Sequence, residues 1–197
     1  NHNSSTTYTL SNSNLSSAKI TALWYGNGLI YIGTSKGVNF FNGNSFMSFH
    51  SSLDLRNTSI SCIYATQESL YIGTTKFIGI YTNNDWQIIE LNQPVYCIEK
   101  HQNQIYVGTF DGAYKLISNQ LEEVGEFSKV MSLKSWAGKL WISDKYSGLH
   151  TFDGSEIVLY SHYGAGLNSF TIINSNLWGA NVDYLIEISN NQEFIYY

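Results

Sequence analysis

The sequence has few charged residues, a single proline and no excess of the residues that favour helices. Charged residues make up 13% of the 197 residues, and 10 Lys plus Arg stand against 15 Asp plus Glu, for a net charge of −5. No run of basic side chains is present to bind a phosphate backbone, so nucleic acid is not an expected partner. No apolar stretch approaches the roughly 18 residues of a membrane helix, so membrane insertion is not expected.

Aromatic residues are abundant instead. They make up 15% of the chain, with 15 Tyr and 10 Phe, and 43% of the residues are hydrophobic. Such a composition is typical of a folded domain, and the aromatic share favours strands. We therefore predict an all-β fold.

The N-terminal part differs from the rest in composition. Residues 1–17 are rich in Ser, Asn and Thr, which predicts an arm with one candidate strand at Thr7-Tyr8-Thr9-Leu10. The first residues are Asn1-His2-Asn3 and not an initiator Met, which fits a removed leader and favours a periplasmic or extracellular location. Residues 18–197 are predicted to form one domain of five repeats.

The repeats share an aromatic residue inside a short apolar segment. The five aromatic positions are 40, 35, 35 and 37 residues apart, a period that suits a four-stranded unit. The segments are Leu29-Ile30-Tyr31-Ile32-Gly33-Thr34, Ser69-Leu70-Tyr71-Ile72-Gly73-Thr74, Gln104-Ile105-Tyr106-Val107-Gly108-Thr109, Lys139-Leu140-Trp141-Ile142-Ser143-Asp144 and Asn176-Leu177-Trp178-Gly179-Ala180-Asn181.

Each repeat divides into four short strands separated by turn residues. In the second repeat the strands are expected at 60–64, 70–73, 79–81 and 86–89. The pairs Asn42-Gly43 and Asp153-Gly154 are strong hairpin signals at equivalent places between the third and fourth strands. The repetition predicts a β-propeller of about five four-stranded blades, in which Gly33, Gly73 and Gly108 allow neighbouring sheets to approach closely.

With these residues the chain resembles the two-component regulator propeller repeat family. The fourth repeat carries the likeness best, with Leu140-Trp141-Ile142, Gly148-Leu149 and Phe152-Asp153-Gly154, followed by Gly166-Leu167-Asn168-Ser169. The fifth repeat departs from the pattern at Gly179-Ala180-Asn181. The resemblance implies a bacterial propeller, commonly the periplasmic part of a sensor kinase or a related exported protein that detects carbohydrates or other envelope signals.

The sequence leaves three possibilities for how the ring closes. The candidate strand at residues 7–10 could pair with the last blade as a clasp or hang free, or the repeats could form part of a larger ring with exposed edges. Closure at five blades is the favoured expectation.

Catalytic and metal sites are not expected. Cys62 and Cys97 fall at the same position of adjacent repeats, beyond the roughly 7 Å Cα separation that a disulfide allows, so two free thiols are predicted. The five histidines are scattered and do not have the spacing of metal ligands; they are His2, His50, His101, His150 and His162. No cofactor is implied.

A glycosidase-like enzyme is the strongest catalytic alternative, because some five-bladed propellers use paired carboxylates at the central channel. The predicted first strands contain no Asp or Glu. Only Glu99, just past one of them, could be recruited, and one acid is insufficient.

Binding is the leading prediction. The loops between second and third strands should gather Lys, Asp and aromatic side chains on one face, to which a small polar ligand such as a saccharide, or a protein partner, would bind. A sugar-binding lectin is the first alternative, although the loops vary between repeats and favour one composite site. The candidate residues are Lys36, Lys76, Phe110, Asp111, Asp144, Lys145, Tyr146, Asn181 and Asp183.

Overall fold

Short segments rich in Ile, Val, Tyr and Phe form twenty strands in the computed structural model. It describes residues 5–48, 55, 58–163, 165–189 and 192–197, and no helix occurs among them. None of these residues therefore belongs to a helix long and apolar enough to cross a membrane. The strands form five separate four-stranded antiparallel sheets, each made of four consecutive strands.

The five sheets are the blades of a propeller, and each predicted repeat supplies one of them. The first blade contains β1 (Ile20–Gly26), β2 (Leu29–Thr34), β3 (Gly37–Phe41) and β4 (Phe46–Ser48). The second contains β5 (Cys62–Ala65), β6 (Ser69–Gly73), β7 (Phe77–Thr82) and β8 (Asp85–Glu90). The third contains β9 (Val95–His101), β10 (Gln104–Thr109), β11 (Ala113–Ile117) and β12 (Gln120–Glu123).

The remaining blades follow the same order. The fourth contains β13 (Val130–Trp136), β14 (Lys139–Asp144), β15 (Gly148–Phe152) and β16 (Ile157–Ser161). The fifth contains β17 (Ser169–Ile173), β18 (Asn176–Ala180), β19 (Leu185–Ser189) and β20 (Gln192–Tyr196). The first strand of every blade lines a central channel, so the sheets form a ring. The prediction of an all-β propeller with five four-stranded blades is confirmed.

Two-residue hairpins with positive φ angles connect many of the strands. Asn27-Gly28 joins β1 to β2, and Asn174-Ser175 makes the equivalent turn between β17 and β18. Positive φ at both central residues is the geometry of a type I′ turn, whose twist matches that of the flanking strands. Asn, Gly and Ser at these positions therefore fix the register locally.

Close contact between blades depends on the small residue at the end of the second strand. A Cβ added at Gly73 would lie 2.4 Å from Cys62 Sγ and 2.7 Å from Val95 Cγ1. At Gly108 it would lie 2.4 Å from Cys97 Sγ and 2.6 Å from Val130 Cγ1. Val95 and Val130 belong to the following blade, so glycine at these two positions leaves room for an aliphatic side chain of the next blade.

The described part of the N-terminal arm forms no strand, so the strand expected at residues 7–10 is absent. Leu10 begins a turn in which Asn12 Oδ1 accepts a hydrogen bond of 2.6 Å from the Thr9 amide. Tyr8 packs against the first blade, with its ring 4.8 Å from that of Phe46. The Ser16 hydroxyl donates to Asn39 Oδ1 at 2.7 Å. Side-chain packing on the first blade therefore replaces the predicted strand pairing.

Candidate binding face

Two sets of loops meet on one side of the ring. The connections from second to third strand lie beside the connections that lead from one blade to the next. The Phe110 amide donates to Pro94 O at 3.1 Å, and the Gly166 amide donates to Asp144 O at 3.1 Å. These bonds hold both sets of loops together. We call this side of the propeller the loop face.

An aromatic and cationic group lies on the loop face between the third and fourth blades. Lys129 Nζ is 4.8 Å from the centre of the Tyr96 ring and 5.5 Å from that of Phe110. Cation–π attraction operates at these distances and orients the three side chains together. Phe110 nevertheless keeps 53% of its surface exposed, so an apolar ring is presented to solvent.

Asp111 lies next to this aromatic group and is also exposed. Its Oδ1 accepts hydrogen bonds of 2.9 Å from Thr109 Oγ1 and from Tyr114 Oη. Its amide donates to Gln93 Oε1 at 3.0 Å. Burial and the contact with Asp111 both raise the pKa of Tyr114, so the phenol stays a donor at neutral pH. The carboxylate is thus held in a fixed position beside an exposed ring.

Tyr146 and Lys145 form the tip of the equivalent loop in the fourth blade. Tyr146 is 70% exposed, and Lys145 Nζ lies 5.6 Å from the centre of its ring. A tyrosine with a free face and a nearby ammonium group can stack on an apolar surface and donate hydrogen bonds at its edge.

Asp144, another candidate, lies inside the fold and not on the loop face. The residue is fully buried. Its Oδ2 accepts from the amides of Ser128 and Lys129 at 2.9 and 2.7 Å, and its Oδ1 accepts from the amides of Tyr146 and Ser147 at 2.9 and 2.8 Å. Burial raises the pKa of Asp144, but these hydrogen bonds outweigh it and leave the pKa below its usual value. Asp144 holds two loops together, and the expectation that it accepts ligand hydroxyl groups does not fit this position.

The other candidates lie at equivalent turns of the first, second and fifth blades. Lys36 and Lys76 are exposed. Asn181 is half-buried and its Oδ1 accepts from the amides of Asp183 and Tyr184 at 2.9 and 3.0 Å, which closes the turn. The structure therefore brings together Phe110 and Asp111 in one blade and Lys145 and Tyr146 in the next, and places the remaining candidates in other blades.

The central channel encloses about 380 Å³ and is lined by the first strands of all five blades. Glu99 lies inside β9, which runs to His101, so the sequence-based estimate that placed it past the strand was too short. Lys134 Nζ donates to Glu99 Oε1 at 3.3 Å from the neighbouring blade. Burial raises the pKa of Glu99, and the Lys134 ammonium opposes that rise. Glu99 is the only acidic residue among the described residues that line the channel.

Cys62 and Cys97 are free thiols, as predicted. Burial raises the pKa of the Cys62 thiol to about 12 and also raises that of Cys97, where the proximity of Cys62 adds to the effect. A thiol needs a lowered pKa to act as a nucleophile at neutral pH, so neither cysteine has the electrostatic environment of a catalytic one.

The described residues contain no group of three or more His, Cys, Asp or Glu side chains placed to hold a metal ion. His101 Nδ1 lies 2.9 Å from Ser135 Oγ, and His150 Nε2 lies 2.9 Å from Ser147 Oγ. His2 and His50 lie outside the described residues.

Sequence comparison did not identify relatives of this chain. No protein-family model matches it, and no curated protein matches it. The fold, in contrast, is similar to many solved structures.

Two of these structures are extracellular domains from B. thetaiotaomicron. The domain of BT3049, described as a hybrid two-component system, gives a TM-score of 0.74 at 16% identity over 97% of this chain and 31% of that chain. The domain of BT4673, described as a one-component system, gives a TM-score of 0.70 at 20% identity over 89% of this chain and 27% of that chain. This chain thus spans less than a third of those chains.

The WD40 β-propeller domain of Doa1 gives a TM-score of 0.70 at 10% identity, over 90% of this chain and 68% of that chain. At these identities the likeness shows that the fold is a β-propeller, in agreement with the resemblance drawn from the repeats.

Two members of the loop-face group were not among the sequence-based candidates. Tyr96 belongs to β9, where its position in a first strand concealed its contact with the loop face. Lys129 lies one residue before β13, in a loop between blades that gave no repeated signal. An aromatic residue directly after the buried Val95, and a lysine directly before the buried Val130, are the signals that could have identified them.

Proposed function

We propose that this chain is a non-catalytic binding or sensory propeller of the bacterial envelope, and that it recognises a polar ligand with an apolar face on its loop face. A saccharide is the first ligand class to test, and a protein partner is the other. The extracellular domains with similar folds support a sensory role and a periplasmic or extracellular location.

The observation that carries the proposal is the exposed group between the third and fourth blades. Phe110 and Tyr146 present apolar rings to solvent, and Lys129, Lys145 and Asp111 place charges beside them. Aromatic rings stack on the apolar face of a sugar ring, while fixed charges accept or donate hydrogen bonds at its hydroxyl groups. Aromatic residues beside charged ones are equally typical of protein-binding hot spots.

A catalytic role has less support. Glu99 is paired with Lys134, and glycoside hydrolysis requires two carboxylates on either side of the bond to be cleaved. Of the described residues that line the channel, none supplies a second one.

The proposal is tested by a glycan array and a thermal-shift screen of the purified chain, followed by calorimetric titration of every saccharide that binds. Phe110→Ala and Asp111→Asn should each weaken binding at least about tenfold, which is about 1.4 kcal/mol. Tyr25→Ala is the matched control, because Tyr25 is 73% exposed and lies beside the β1–β2 turn, at the end of the first blade opposite to the loop face.

Equal loss of affinity in the control and the loop-face variants would contradict the assignment of the site. If no saccharide binds, a protein partner becomes the class to test, with the same three variants in a co-purification experiment. Partner binding that all three variants retain would overturn the proposed face.

A further inference from the structure

One imidazole lies inside the interface between the third and fourth blades. His101, the last residue of β9, is 2% exposed, and its Nδ1 lies 2.9 Å from Ser135 Oγ of β13. Its other ring nitrogen, Nε2, is also buried and has no hydrogen-bond partner in the part of the chain that the structure describes. In the imidazolium form both nitrogens are donors, so the Nε2 proton would be buried without an acceptor. The interface therefore favours the neutral ring.

The carboxylate next to His101 on the same side of β9 is already paired. Glu99 Oε1 accepts from Lys134 Nζ and from the Ser135 amide, both at 3.3 Å. Lys100 lies between the two residues and points to the opposite side of β9, as successive residues of a strand do. An imidazolium at His101 would thus add a second positive charge to an interface that already holds Lys134.

The other elements packed around the ring supply no counter-charge. On β10 the Tyr106 ring lies 6.1 Å from the imidazole, and burial raises the pKa of its phenol, which therefore stays neutral in acid and at neutral pH. The β15–β16 hairpin of the fourth blade contributes a backbone group, because Gln102 Nε2 donates to Asp153 O at 3.4 Å beside the imidazole. A proton on His101 would accordingly remain uncompensated.

Protonation of His101 therefore works against the closed interface. Burial lowers the pKa of His101 below its ordinary value of about 6.5. The ring binds a proton more readily where it leaves the interface than where it stays inside. As pH falls below about 6.5 and towards the lower pKa of the buried ring, stability is lost and states with an exposed ring gain population.

The other blades have no titratable group at this place. His101 lies opposite the first residue of the second strand, Gln104, and the residues in the same position of the other blades can be assigned from the strand pairing and one turn. They are Gly26, Thr66, Trp136 and Ile173. Acid therefore acts through this position on one interface between blades and not on the others.

The same two strands carry the aromatic and cationic group of the loop face. Tyr96 lies at the beginning of β9, whose last residue is His101, and Lys129 directly precedes β13. The contacts of Lys129 Nζ with the rings of Tyr96 and Phe110 thus cross from the fourth blade to the third. Any movement of β13 away from β9 would break them.

From these contacts we propose that the interface between the third and fourth blades is an acid-sensitive switch. Protonation of His101 loosens β13 from β9 and separates Lys129 from Tyr96 and Phe110. Ligand binding at the loop face then weakens as pH falls, and this consequence rests on the proposed function. The loosening itself requires no ligand.

The two free thiols report separately on two interfaces. Cys97 Sγ lies 4.0 Å from Val130 O, across the contact between the third and fourth blades. Cys62 occupies the equivalent place in the second blade, beside Val95 of the third. The full chain is labelled with 4,4′-dithiodipyridine, which reacts with thiols in mild acid, at about pH 7.5 and about pH 5.5. Peptide mass spectrometry gives the labelling rate at each cysteine, and the ratio of the two rates cancels the intrinsic effect of pH on thiols.

The ratio of Cys97 to Cys62 labelling should rise at least about threefold between the two pH values, since a group with an ordinary pKa of about 6.5 can contribute at most about tenfold over this range. His101→Gln should abolish the rise. His150→Gln is the matched control and should retain it. His150 Nε2 also lies 2.9 Å from a serine hydroxyl, that of Ser147, but within its own blade, and the residue is half-buried.

An unchanged ratio in the parent chain, or a rise that persists in His101→Gln, would overturn the proposal. Equal acceleration at both thiols would overturn it as well, because the whole ring would then unfold in acid. A nuclear magnetic resonance titration of the histidine rings in the parent chain requires no variant to fold, and a His101 pKa at or above about 6.5 would contradict the switch. None of these measurements uses a ligand, so failure here is distinguishable from failure of the proposed function.

Discussion

Lys134 Nζ lies 3.3 Å from Glu99 Oε1 and joins the first strands of the fourth and third blades at the wall of the channel. Glu99 Oε1 lies at 3.3 Å from the Ser135 amide as well. The interface between these two blades thus has polar contacts at Glu99 and at His101, whose Nδ1 lies 2.9 Å from Ser135 Oγ, whereas hydrophobic side chains form most of it.

Removal of Lys134 should destabilise the protein in a pH-dependent way. Lys134→Met leaves a buried carboxylate without its cation, which should cost about 1–3 kcal/mol at neutral pH. Burial raises the Glu99 pKa and Lys134 opposes the rise, so the variant raises it further. The cost is present above that pKa and disappears as falling pH protonates Glu99.

The free energies of unfolding of variant and parent are compared by urea unfolding at neutral pH and at about pH 4, which is below the ordinary pKa of Glu. The Glu99→Gln, Lys134→Met double variant is the control and should show no such pH dependence. A destabilisation of Lys134→Met that is equal at both pH values would contradict the role assigned to the pair.

Asp144→Asn should destabilise the fourth blade by about 2–3 kcal/mol, because an amide cannot accept hydrogen bonds on both sides as the carboxylate does. Hydrogen bonds lower the pKa of Asp144 in the folded protein, so the ionised carboxylate contributes to stability. That contribution is fully present above the pKa that Asp144 has in the unfolded chain, and it is lost as pH falls through the lower pKa of the folded protein. The loss should therefore be largest at neutral pH and shrink in acid, as measured by thermal and urea unfolding.

Asp153→Asn is the matched control for this variant. Asp153 Oδ1 also accepts from two amides, those of Ser155 and Glu156, and these bonds lower its pKa to about 2, but the carboxylate lies on an exposed hairpin. Asp153→Asn should therefore lower the free energy of unfolding less than Asp144→Asn does. The reverse order would show that Asp144 is not the residue that joins the two loops.

Gly73→Ala should cost about 1–3 kcal/mol, because the new methyl group would overlap Cys62 and Val95 at the contact between two blades. Gly112→Ala is the control, since a Cβ there would lie 3.4 Å from its nearest neighbour and the φ angle is not positive. Chemical unfolding of both variants provides the comparison. Equal stability of the two would mean that the blades can separate without cost.

Leu23→Asp should change the unfolding free energy by less than about 0.5 kcal/mol, because the side chain is 67% exposed. Leu133→Asp occupies the equivalent position of the fourth blade and should prevent folding, since an unpaired charge would be buried. Circular dichroism and urea unfolding distinguish the two outcomes. Unfolding by Leu23→Asp would show that Leu23 is buried in solution.

The two thiols should react with a thiol-specific reagent at least about 100-fold more slowly in the folded protein than in denaturant. Burial raises the pKa of both cysteines and so lowers the fraction of reactive thiolate. The absorbance of the released chromophore should indicate two thiols per chain after unfolding. Rapid labelling of the folded protein at either cysteine would contradict this prediction.

Most of the fold could be predicted from the repeat. The second repeat predicts strands at 60–64, 70–73, 79–81 and 86–89, and the structure has them at Cys62–Ala65, Ser69–Gly73, Phe77–Thr82 and Asp85–Glu90. The positions agree because turn residues and strand periodicity are local properties. The strand expected near Tyr8 failed, because that short segment gains more by packing its ring on Phe41 and Phe46 than by forming a sheet edge.

The candidate site was predictable only in part. Phe110, Asp111, Lys145 and Tyr146 could be chosen because equivalent loops of a propeller lie on one side of the ring. The chain order does not show that Lys129 lies between Tyr96 and Phe110, or that five donors from neighbouring residues occupy Asp144. Such contacts join residues from different loops, which no periodic pattern records.

The sequence by itself determined the five repeats, the four strands in each and the glycines between blades, because these depend on spacing, turn chemistry and side-chain size. Only the tertiary structure decided which polar side chains are buried and hydrogen-bonded inside the fold, as Asp144 is, and which remain exposed, as Asp111 does. It alone separated Leu23 from Leu133, because two leucines at the same repeat position differ in burial only through the blade that packs, or does not pack, against them.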